Sequence, residues 1–266
     1  MQSGGAVLFC GKRQSVMKVI GVIPARWGST RLPGKSLVSI CGKPLIQWVV
    51  ERARKAKRLD CLLVATDDRR IAGVVKSLGV KAVLTREEHP SGTDRVAEAV
   101  EGMEAEVVIS IPGDEPLIDP DLINRLAEVM LTDEAWDVAT AAVPIRHEED
   151  LHDPSVVKVV WDEKRQALYF SRSVIPFIRD NDLAVEKVLH WRHLGIYAYR
   201  KSFLNRLVKT PSCLLEKAEK LEQLRTLHIG GRIVVLEVLE AGTDVNTLED
   251  VRRVEEEIRK RVNSDQ

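Results

Sequence analysis

A short apolar run followed by a helix-like segment recurs along the first half of the chain, and this repetition constrains the possible folds most strongly. The apolar runs are VIGVIPA, CLLVATD, KAVLT and EVVISI, and each precedes a segment with the periodicity of an amphipathic helix. Continuous apolar strands joined by helices form parallel sheets that are covered on both faces. The sequence therefore predicts an α/β fold with a mostly parallel sheet and helices on both faces.

The pattern changes in the second half, after about residue 145. There VVKVVWDEKRQALYFSRS predicts two strands around a polar turn at residues 162–165, and RHLGIYAYR predicts a further strand. These strands favour a smaller antiparallel lobe at about residues 146–211, for dimerisation or substrate binding. Farther on, SCLLEKAEKLEQLRTLHIG predicts one helix ending at Gly230, RIVVLEV a strand, and NTLEDVRRVEEEIRKRV a closing helix.

Composition limits the domain count and the class of partner. A chain of 266 residues with 44% hydrophobic content and no linker rich in Pro, Gly or Ser favours one domain at residues 17–266, after an N-terminal extension at residues 1–16. Lys plus Arg and Asp plus Glu number 40 each, so no overall field favours nucleic acid or a membrane, and an anion site must be local.

Four scattered cysteines without a CxxC pair argue against zinc and disulfides, and they fit a reducing cytoplasm. We expect neither a secretory signal nor a membrane span.

A basic loop follows the first strand, in the stretch VIGVIPARWGSTRLPGKS at residues 19–36. It carries Arg26, Arg31 and Lys35 between glycines, and guanidinium and ammonium groups in such a loop can bind a polyphosphate. A solvated basic loop is the alternative that the spacing alone leaves open.

The same loop differs from an ATPase phosphate loop, which has four residues between its first Gly and the Gly-Lys-Ser that opens a helix. Five residues separate Gly28 from Gly34 here, and Pro33 has no N–H to offer a phosphate. The spacing therefore favours an open loop in which the two glycines allow sharp turns and close approach.

A carboxylate follows the run EVVISI, in the segment Gly113-Asp114-Glu115-Pro116. Ligands of parallel sheets bind outside the carboxyl ends of the strands. Mg²⁺ typically takes one or two carboxylates together with substrate phosphate oxygens, so Asp114 is a candidate metal ligand. The alternative is that Asp114 only caps a turn.

Two further segments place short polar side chains at the predicted strand ends. Asp67 ends the second strand after Ala65 and Thr66, and Ser91 opens a helix whose free N–H groups could hydrogen-bond a base or a ribose. Helix capping is the alternative for Ser91. Arg95 is a cation in the first helical turn and opposes the helix dipole, which makes it a candidate ligand contact.

These segments, in this order, resemble the 3-deoxy-manno-octulosonate (Kdo) cytidylyltransferases, also called CMP-Kdo synthetases. The resemblance runs from about Val19 to Arg259, and its motifs include IPARWGSTRLPGK, LLVATDD, HPSGTDRVAEA, GDEPLI, VVKVVWD, ALYFSRSVIPF, RHLGIYAYR and LEKAEKLEQLR. It implies a Rossmann-like nucleotidyltransferase, cytoplasmic and homodimeric. It also implies a Mg²⁺-dependent transfer of CMP from CTP to the anomeric 2-hydroxyl of Kdo for lipopolysaccharide biosynthesis.

The resemblance also implies a set of site residues. The catalytic residues would be Arg26, Lys35 and Asp114, and the metal would bind Asp114 and Asn246. The nucleotide would contact Pro24, Ala25, Arg26, Arg31, Lys35, Ala65, Thr66, Asp67, Ser91, Gly92 and Arg95. The sugar acid would contact Pro112, Arg172, His193, Tyr197, Glu222 and Gln223, with Arg172 pairing to its carboxylate.

Residue patterns leave alternatives beside the sugar-site assignments. His190 and His193 lie three apart, but on a strand they would face opposite sides, which disfavours a metal pair. Glu222 and Gln223 could belong to a solvated helix face. Tyr197 could belong to the core.

Two positions depart from the family pattern. Pro112 replaces a usual glutamine that contacts the sugar, and Asn246 replaces a usual metal-site aspartate. An amide oxygen brings no negative charge, so the affinity for Mg²⁺ should fall unless Asp244 helps to bind the metal. Alternatively, Asn246 caps a helix with Glu249 three residues on. Two other functions therefore stay open: the same transfer to a related acid such as 8-amino-3,8-dideoxy-manno-octulosonate, or a CTP-binding homologue with weakened catalysis.

Overall fold

A computed structural model describes residues 17–29, 32–179 and 189–264, which fall into two compact units. The first unit comprises the chain up to Asn124 together with the chain from Gly242 onward, and the second comprises Arg125–Ala241. The N-terminal extension at residues 1–16 lies outside the described residues. The single domain from residue 17 and the lobe at 146–211 stay predictions.

The secondary structure follows the predicted alternation. Up to the end of α4 the elements are β1 (Met17–Ala25), a 3₁₀ turn (Lys35–Leu37), β2 (Ser39–Ile40), β3 (Lys43–Pro44), α1 (Leu45–Ala53), β4 (Cys61–Thr66), α2 (Arg69–Ser77), β5 (Lys81–Leu84), α3 (Gly92–Ala99), β6 (Ala105–Ser110) and α4 (Pro120–Thr132). The later elements are β7 (Val138–Pro144), α5 (Glu148–His152), β8 (Lys158–Trp161), β9 (Ala167–Ser171), β10 (Trp191–Arg200), α6 (Lys201–Leu207), α7 (Leu214–Glu219), α8 (Gln223–His228), β11 (Ile233–Glu237) and α9 (Leu248–Ser264). Among the described residues, no helix combines the length and apolarity needed to cross a lipid bilayer.

The first unit contains four parallel strands in the order β6-β1-β4-β5. Every residue of β4 is buried, which requires cover on both faces of the sheet. Helices α2 and α3 both pack on β4. The prediction of a parallel α/β sheet is therefore confirmed for this unit, and the loops after β1, β4 and β6 start at one edge of it.

The second unit mixes strand directions. Strand β7 pairs antiparallel with β10 and parallel with β11, and β8 pairs antiparallel with both β9 and β10. The predicted polar turn joins β8 to β9, where the Asp162 carboxylate accepts hydrogen bonds from the N–H groups of Lys164 and Gln166, each at 2.9 Å. The expected antiparallel strands are present.

Strand β10 is irregular in the middle of its pairing with β7. The register shifts between Leu194 and Ala198, which releases carbonyl groups from the ladder. The hydroxyl oxygen of Thr140 on β7 lies 2.8 Å from the carbonyl oxygen of Ile196 and 3.2 Å from that of Leu194. A buried threonine therefore occupies the gap that the bulge opens.

The single helix predicted for SCLLEKAEKLEQLRTLHIG is wrong, because α7 ends at Glu219 and α8 starts at Gln223. Lys220 between them has a φ of 54°, in the left-handed region. The Glu219 carboxylate accepts hydrogen bonds from the Ser171 hydroxyl at 2.7 Å and the Arg172 N–H at 2.9 Å, while Arg172 Nε donates to the Glu219 carbonyl at 2.6 Å. These contacts with the end of β9 hold the chain in the turn, although local periodicity favours a continuous helix.

The helix cap assigned to Asn246 and Glu249 is also wrong, because the capping residues lie one position later. Thr247 Oγ1 accepts a hydrogen bond from the Asp250 N–H at 3.2 Å, and Asp250 Oδ2 accepts from the Asn246 and Thr247 N–H groups at 2.9 and 2.8 Å. Burial raises the pKa of Asp250, but these hydrogen bonds outweigh it and hold the pKa below its usual value. The Asn246 side chain is therefore not needed for capping.

Replacing the cap should reveal which residue holds the start of α9. We expect Thr247→Ala to lower the free energy of unfolding by about 1 kcal/mol, because the first turn loses its hydroxyl acceptor. Asn246→Ala should lower it by less than Thr247→Ala does, since the side chain caps nothing and loses only a 3.3 Å contact with Lys35 Nζ. Urea unfolding followed by circular dichroism measures both values, and a larger loss in Asn246→Ala would contradict this assignment.

Candidate active site

The loop after β6 approaches the end of β1 so closely that only glycine fits there. A Cβ atom on Gly113 would lie 2.5 Å from the carbonyl oxygen of Pro24. The absence of a side chain therefore lets Asp114 follow directly beside the start of the basic loop.

The Lys35 side chain joins the basic loop to two other parts of the first unit. Its Nζ lies 2.8 Å from Asp114 Oδ2 and 3.3 Å from Asn246 Oδ1. The N–H of Val245 donates to the Asp114 carbonyl at 2.8 Å, which fixes the segment that carries Asn246. Lys35, Asp114 and Asn246 are far apart in the sequence and thus meet at one point. The phosphate and metal roles assigned to them stay predictions.

The conformation of the basic loop excludes the ATPase phosphate loop. Gly34 has a φ of 67°, and a single 3₁₀ turn at Lys35–Leu37 follows it where that motif would begin a long helix. A Cβ on Gly34 would lie 2.8 Å from the Trp27 ring, so the indole packs directly on this glycine. The described part of the loop therefore lacks the helix of the ATPase motif, and the open loop stays a prediction. Arg26 is exposed, and Arg31 lies outside the described residues.

The Asp67 carboxylate at the end of β4 ties two loops together. Its Oδ1 accepts a hydrogen bond from the Trp27 N–H at 2.9 Å, and its Oδ2 lies 3.0 Å from Arg95 Nη2. Arg95 is only 3% exposed and also donates to the Thr85 hydroxyl at 2.6 Å. This pairing explains a cation in the first turn of α3, and the nucleotide contact assigned to Arg95 stays a prediction.

The remaining residues assigned to the nucleotide surround the same strand ends. Ser91 caps α3, since its hydroxyl oxygen accepts from the Asp94 N–H at 3.2 Å and its hydroxyl donates to Asp94 Oδ2 at 2.5 Å. The capping interpretation of Ser91 is confirmed. The nucleotide contacts predicted on the strand ends and on α3 stay predictions: Pro24, Ala25, Ala65, Thr66, Asp67, Ser91 and Gly92.

The oxygen donors beside Lys35 suit a hard cation. Asp114 Oδ2 and Asn246 Oδ1 both converge on one ammonium group, so the two oxygens already share a position for positive charge. Within the described ranges, no three His, Cys, Asp or Glu side chains group as a metal site. Two protein oxygens completed by substrate phosphates form the kind of site that Mg²⁺ uses.

The guanidinium of Arg172 in the second unit donates to carbonyl groups, while the main-chain N–H of Arg172 donates to the Glu219 carboxylate at 2.9 Å. Its guanidinium donates to the carbonyl oxygens of Glu219, Pro154 and Lys220 at 2.6, 2.8 and 3.5 Å, and none of these acceptors is charged. Lys158 Nζ donates to the Arg172 carbonyl at 3.0 Å and fixes the main chain. The guanidinium charge is therefore oriented but not neutralised by these contacts, which suits a carboxylate ligand.

His193 and Tyr197 form an aromatic pair on β10, with ring centroids 5.3 Å apart. Burial, with a smaller effect of the Arg192 charge, lowers the pKa of His193 to about 3. Burial raises the pKa of Tyr197 well above its usual value, and Tyr199 and Glu222 add to the shift. Both side chains are therefore neutral near pH 7 and can hydrogen-bond hydroxyl groups.

The other predicted sugar contacts differ in exposure. Glu222 is exposed before α8, whereas Gln223 is only 7% exposed, so the solvated-face alternative is wrong for Gln223. Pro112 is half-buried between β6 and Gly113. His190 Nε2 lies 3.1 Å from the Pro176 carbonyl oxygen, a different partner from that of His193. The sugar contacts themselves stay predictions.

Sequence reasoning missed three residues that hold these groups in place: Trp27, Thr140 and Glu219. A polar residue inside the apolar run VATAAVP was a usable signal for Thr140. Trp27 lay inside the basic loop without an assigned role, and the Arg70 guanidinium lies 3.3 Å from its ring centroid. Glu219 had no signal, because its partners come from a distant strand.

The buried neutral imidazole predicts a pH dependence of stability. The folded-state pKa of His193 lies below the unfolded value near 6.5, so its contribution is complete above pH 6.5 and is lost as the pH falls toward about 3. Between pH 8 and pH 5.5 we expect the wild type to lose about 1.4 kcal/mol more than His193→Gln. Urea unfolding at both pH values measures this difference, and equal losses in the two proteins would contradict a buried neutral His193.

Comparison with known proteins identifies relatives over most of the chain. A family model described as cytidylyltransferase matches residues 20–234. The 3-deoxy-manno-octulosonate cytidylyltransferase of Bdellovibrio bacteriovorus is 46% identical over 242 residues, which are 90% of this chain and 97% of that protein. The protein of the same name from Aliivibrio fischeri is 48% identical over 242 residues, covering 88% of this chain and 96% of that protein.

Solved structures agree with these matches. The structure of CMP:2-keto-3-deoxy-manno-octonic acid synthetase complexed with CTP aligns with a TM-score of 0.87 at 43% identity, covering 92% of this chain and 99% of that one. The 4-diphosphocytidyl-2C-methyl-D-erythritol synthase of Anaerococcus prevotii aligns with a TM-score of 0.63 at 11% identity, over 92% of this chain and 100% of that one, and so is similar in fold alone. With its Rossmann-like nucleotidyltransferase fold, the chain belongs to the 3-deoxy-manno-octulosonate cytidylyltransferase family.

Proposed function

We propose that this protein transfers CMP from CTP to the anomeric 2-hydroxyl of Kdo, giving CMP-Kdo and pyrophosphate for lipopolysaccharide biosynthesis. The observation that carries the proposal is the meeting of Lys35, Asp114 and Asn246 in the first unit of a chain that belongs to this family. A cation from the basic loop beside two hard oxygens is an arrangement that suits phosphoryl and nucleotidyl transfer.

The basic loop supplies the protein's positive charge for the triphosphate. Lys35 and the exposed Arg26 bind phosphate oxygens, and Trp27 holds the loop between them by packing on Gly34. A loop held in this way loses little conformational freedom when CTP binds, which favours correct placement of the α-phosphorus. Arg31 is expected to add a further guanidinium.

The chemical step is an in-line displacement at the α-phosphorus. The sugar 2-hydroxyl oxygen forms the new P–O bond, the bond from the α-phosphorus to the bridging oxygen breaks, and pyrophosphate leaves with the electron pair. The hydroxyl proton is released to solvent. Lys35 and Arg26 stabilise the negative charge that moves onto the leaving group, so positioning and charge neutralisation account for most of the rate enhancement.

Mg²⁺ is the cofactor that the oxygen donors fit best. Asp114 and Asn246 would hold it, and when bound it supplies charge neutralisation on the phosphates. An amide oxygen brings no charge, so the metal affinity of this chain should be weaker than that of a relative with two carboxylates.

The second unit supplies the groups for the sugar acid. Arg172 binds the carboxylate, because its guanidinium is oriented by carbonyl groups that leave its charge in place. His193, Tyr197 and Gln223 offer neutral hydrogen-bonding groups for hydroxyls, and Glu222 adds a further acceptor.

The protein is proposed to act as a cytoplasmic homodimer. Two apolar side chains of the second unit support an interface, since Phe177 is 84% exposed and Leu168 is 59% exposed. No nucleic-acid or membrane partner is expected, since the sequence contains 40 basic and 40 acidic residues.

A substrate panel tests the proposed reaction and its competitors. We expect Mg²⁺-dependent pyrophosphate release with CTP and Kdo, and loss of release when EDTA removes the metal. Pro112 makes 8-amino-3,8-dideoxy-manno-octulosonate the first analogue to test. Turnover with this analogue and not with Kdo would show that the analogue is the substrate. CTP binding without turnover on any sugar acid would contradict the enzymatic function.

Asn246→Asp tests the metal site. The variant would place a second carboxylate beside Asp114, where the metal is proposed to bind. The Mg²⁺ concentration for half-maximal activity should fall by about 3- to 10-fold, because ligand charge raises the affinity for Mg²⁺. Asn205→Asp adds the same charge on the exposed surface of α6 and should leave the metal dependence unchanged. An unchanged Mg²⁺ titration in Asn246→Asp would show that this residue does not bind the metal.

A further inference from the structure

The buried hydroxyl of Thr140 makes three contacts in the gap that the β10 bulge opens. Its oxygen lies 2.8 Å from the Ile196 carbonyl oxygen, 3.2 Å from the Leu194 carbonyl oxygen and 2.9 Å from His193 Nε2. Thr140 has no exposed surface, so bulk solvent does not reach its hydroxyl group.

Counting hydrogens assigns a direction to each contact. A threonine hydroxyl carries one hydrogen, and a carbonyl oxygen can only accept. If that hydrogen pointed at His193, the hydroxyl lone pairs would face two carbonyl oxygens in a buried site, which is unfavourable. The hydroxyl therefore donates to a carbonyl and accepts from His193, so Nε2 carries the proton.

The opposite ring nitrogen is then a bare acceptor. The neutral imidazole carries one proton, which leaves Nδ1 with a free lone pair. Across the described residues, Arg54 Nε is the buried side-chain nitrogen or oxygen that has no hydrogen-bond partner. Nδ1 of His193 makes no hydrogen bond with the described residues, and 9% of the residue is exposed, so the lone pair on Nδ1 is available to a ligand.

We propose that Thr140 is a positioning residue that fixes His193 in the Nε2–H tautomer, so that Nδ1 accepts a hydrogen bond from a hydroxyl group of the sugar acid. The identity of the sugar rests on the proposed function, whereas the tautomer rests on the Thr140 contacts alone. A bare nitrogen repels a carboxylate oxygen, so His193 selects a hydroxyl and leaves the carboxylate to Arg172.

The tautomer can be measured directly by ¹⁵N NMR of the histidine rings in the full-length protein. His193→Gln identifies the His193 signals among those of the six histidines. We expect the wild type and Thr140→Ser to show a protonated Nε2 and an unprotonated Nδ1, and Thr140→Val to lose this preference. A protonated Nδ1 in the wild type would overturn the proposal.

Steady-state kinetics then tests the consequence for the sugar. Thr140→Val should raise the KM for Kdo about tenfold and leave the KM for CTP unchanged, and Thr140→Ser should restore the wild-type value. Thr226→Val, at a buried threonine of α8, controls for the loss of a core hydroxyl.

The two readouts separate the possible failures. An altered tautomer in Thr140→Val with an unchanged KM for Kdo would overturn the role of Nδ1 in sugar binding. If the wild type turns over no Kdo, the proposed function fails, and the NMR measurement still decides whether Thr140 fixes the tautomer.

Discussion

The Asp67 carboxylate is the contact that holds together the loops at the strand ends of the first unit. It receives the Trp27 N–H of the basic loop with one oxygen and the buried Arg95 guanidinium of α3 with the other. A buried carboxylate without both partners would be costly, so the loops after β1 and β4 and the start of α3 are stabilised together. Trp27 in turn packs on Gly34, which precedes Lys35 in the chain. By holding Trp27, Asp67 therefore helps to position Lys35, whose ammonium group contacts Asp114 and Asn246.

Neutral side chains play a corresponding role in the second unit. Burial lowers the pKa of His193 and so keeps its imidazole neutral near pH 7, Tyr197 is neutral there as well, and the Arg172 guanidinium is oriented by carbonyl groups. In the proposed sugar site the Arg172 guanidinium would pair with the sugar carboxylate, and His193 and Tyr197 would offer neutral groups to the hydroxyls. The bulge in β10 contributes by freeing two carbonyls for Thr140, which then acts on His193.

Much of the fold was predictable because its signals are local. The parallel strands of the first unit, the β8–β9 turn and the Ser91 cap all follow from periodicity or turn chemistry within a few residues. The break at Lys220 and the cap at Thr247 were not predicted. The helix breaks at Lys220 because Ser171 and Arg172, at the end of a distant strand, bind Glu219. The cap was assigned one residue too early because Asn246 and Thr247 are neighbours with equally good capping chemistry.

The sequence by itself determined the α/β architecture, the basic loop and the family, because periodicity and collinear motifs are properties of the chain order. It also singled out Pro112 and Asn246 as departures from the family pattern. Only the tertiary structure decided that Asn246 faces Lys35 and does not cap α9, that Arg95 pairs with Asp67, and that Thr140 bonds to His193. The physical reason is the same in each case: which partner a polar side chain takes depends on the distance and burial that distant segments impose, and these are absent from local sequence.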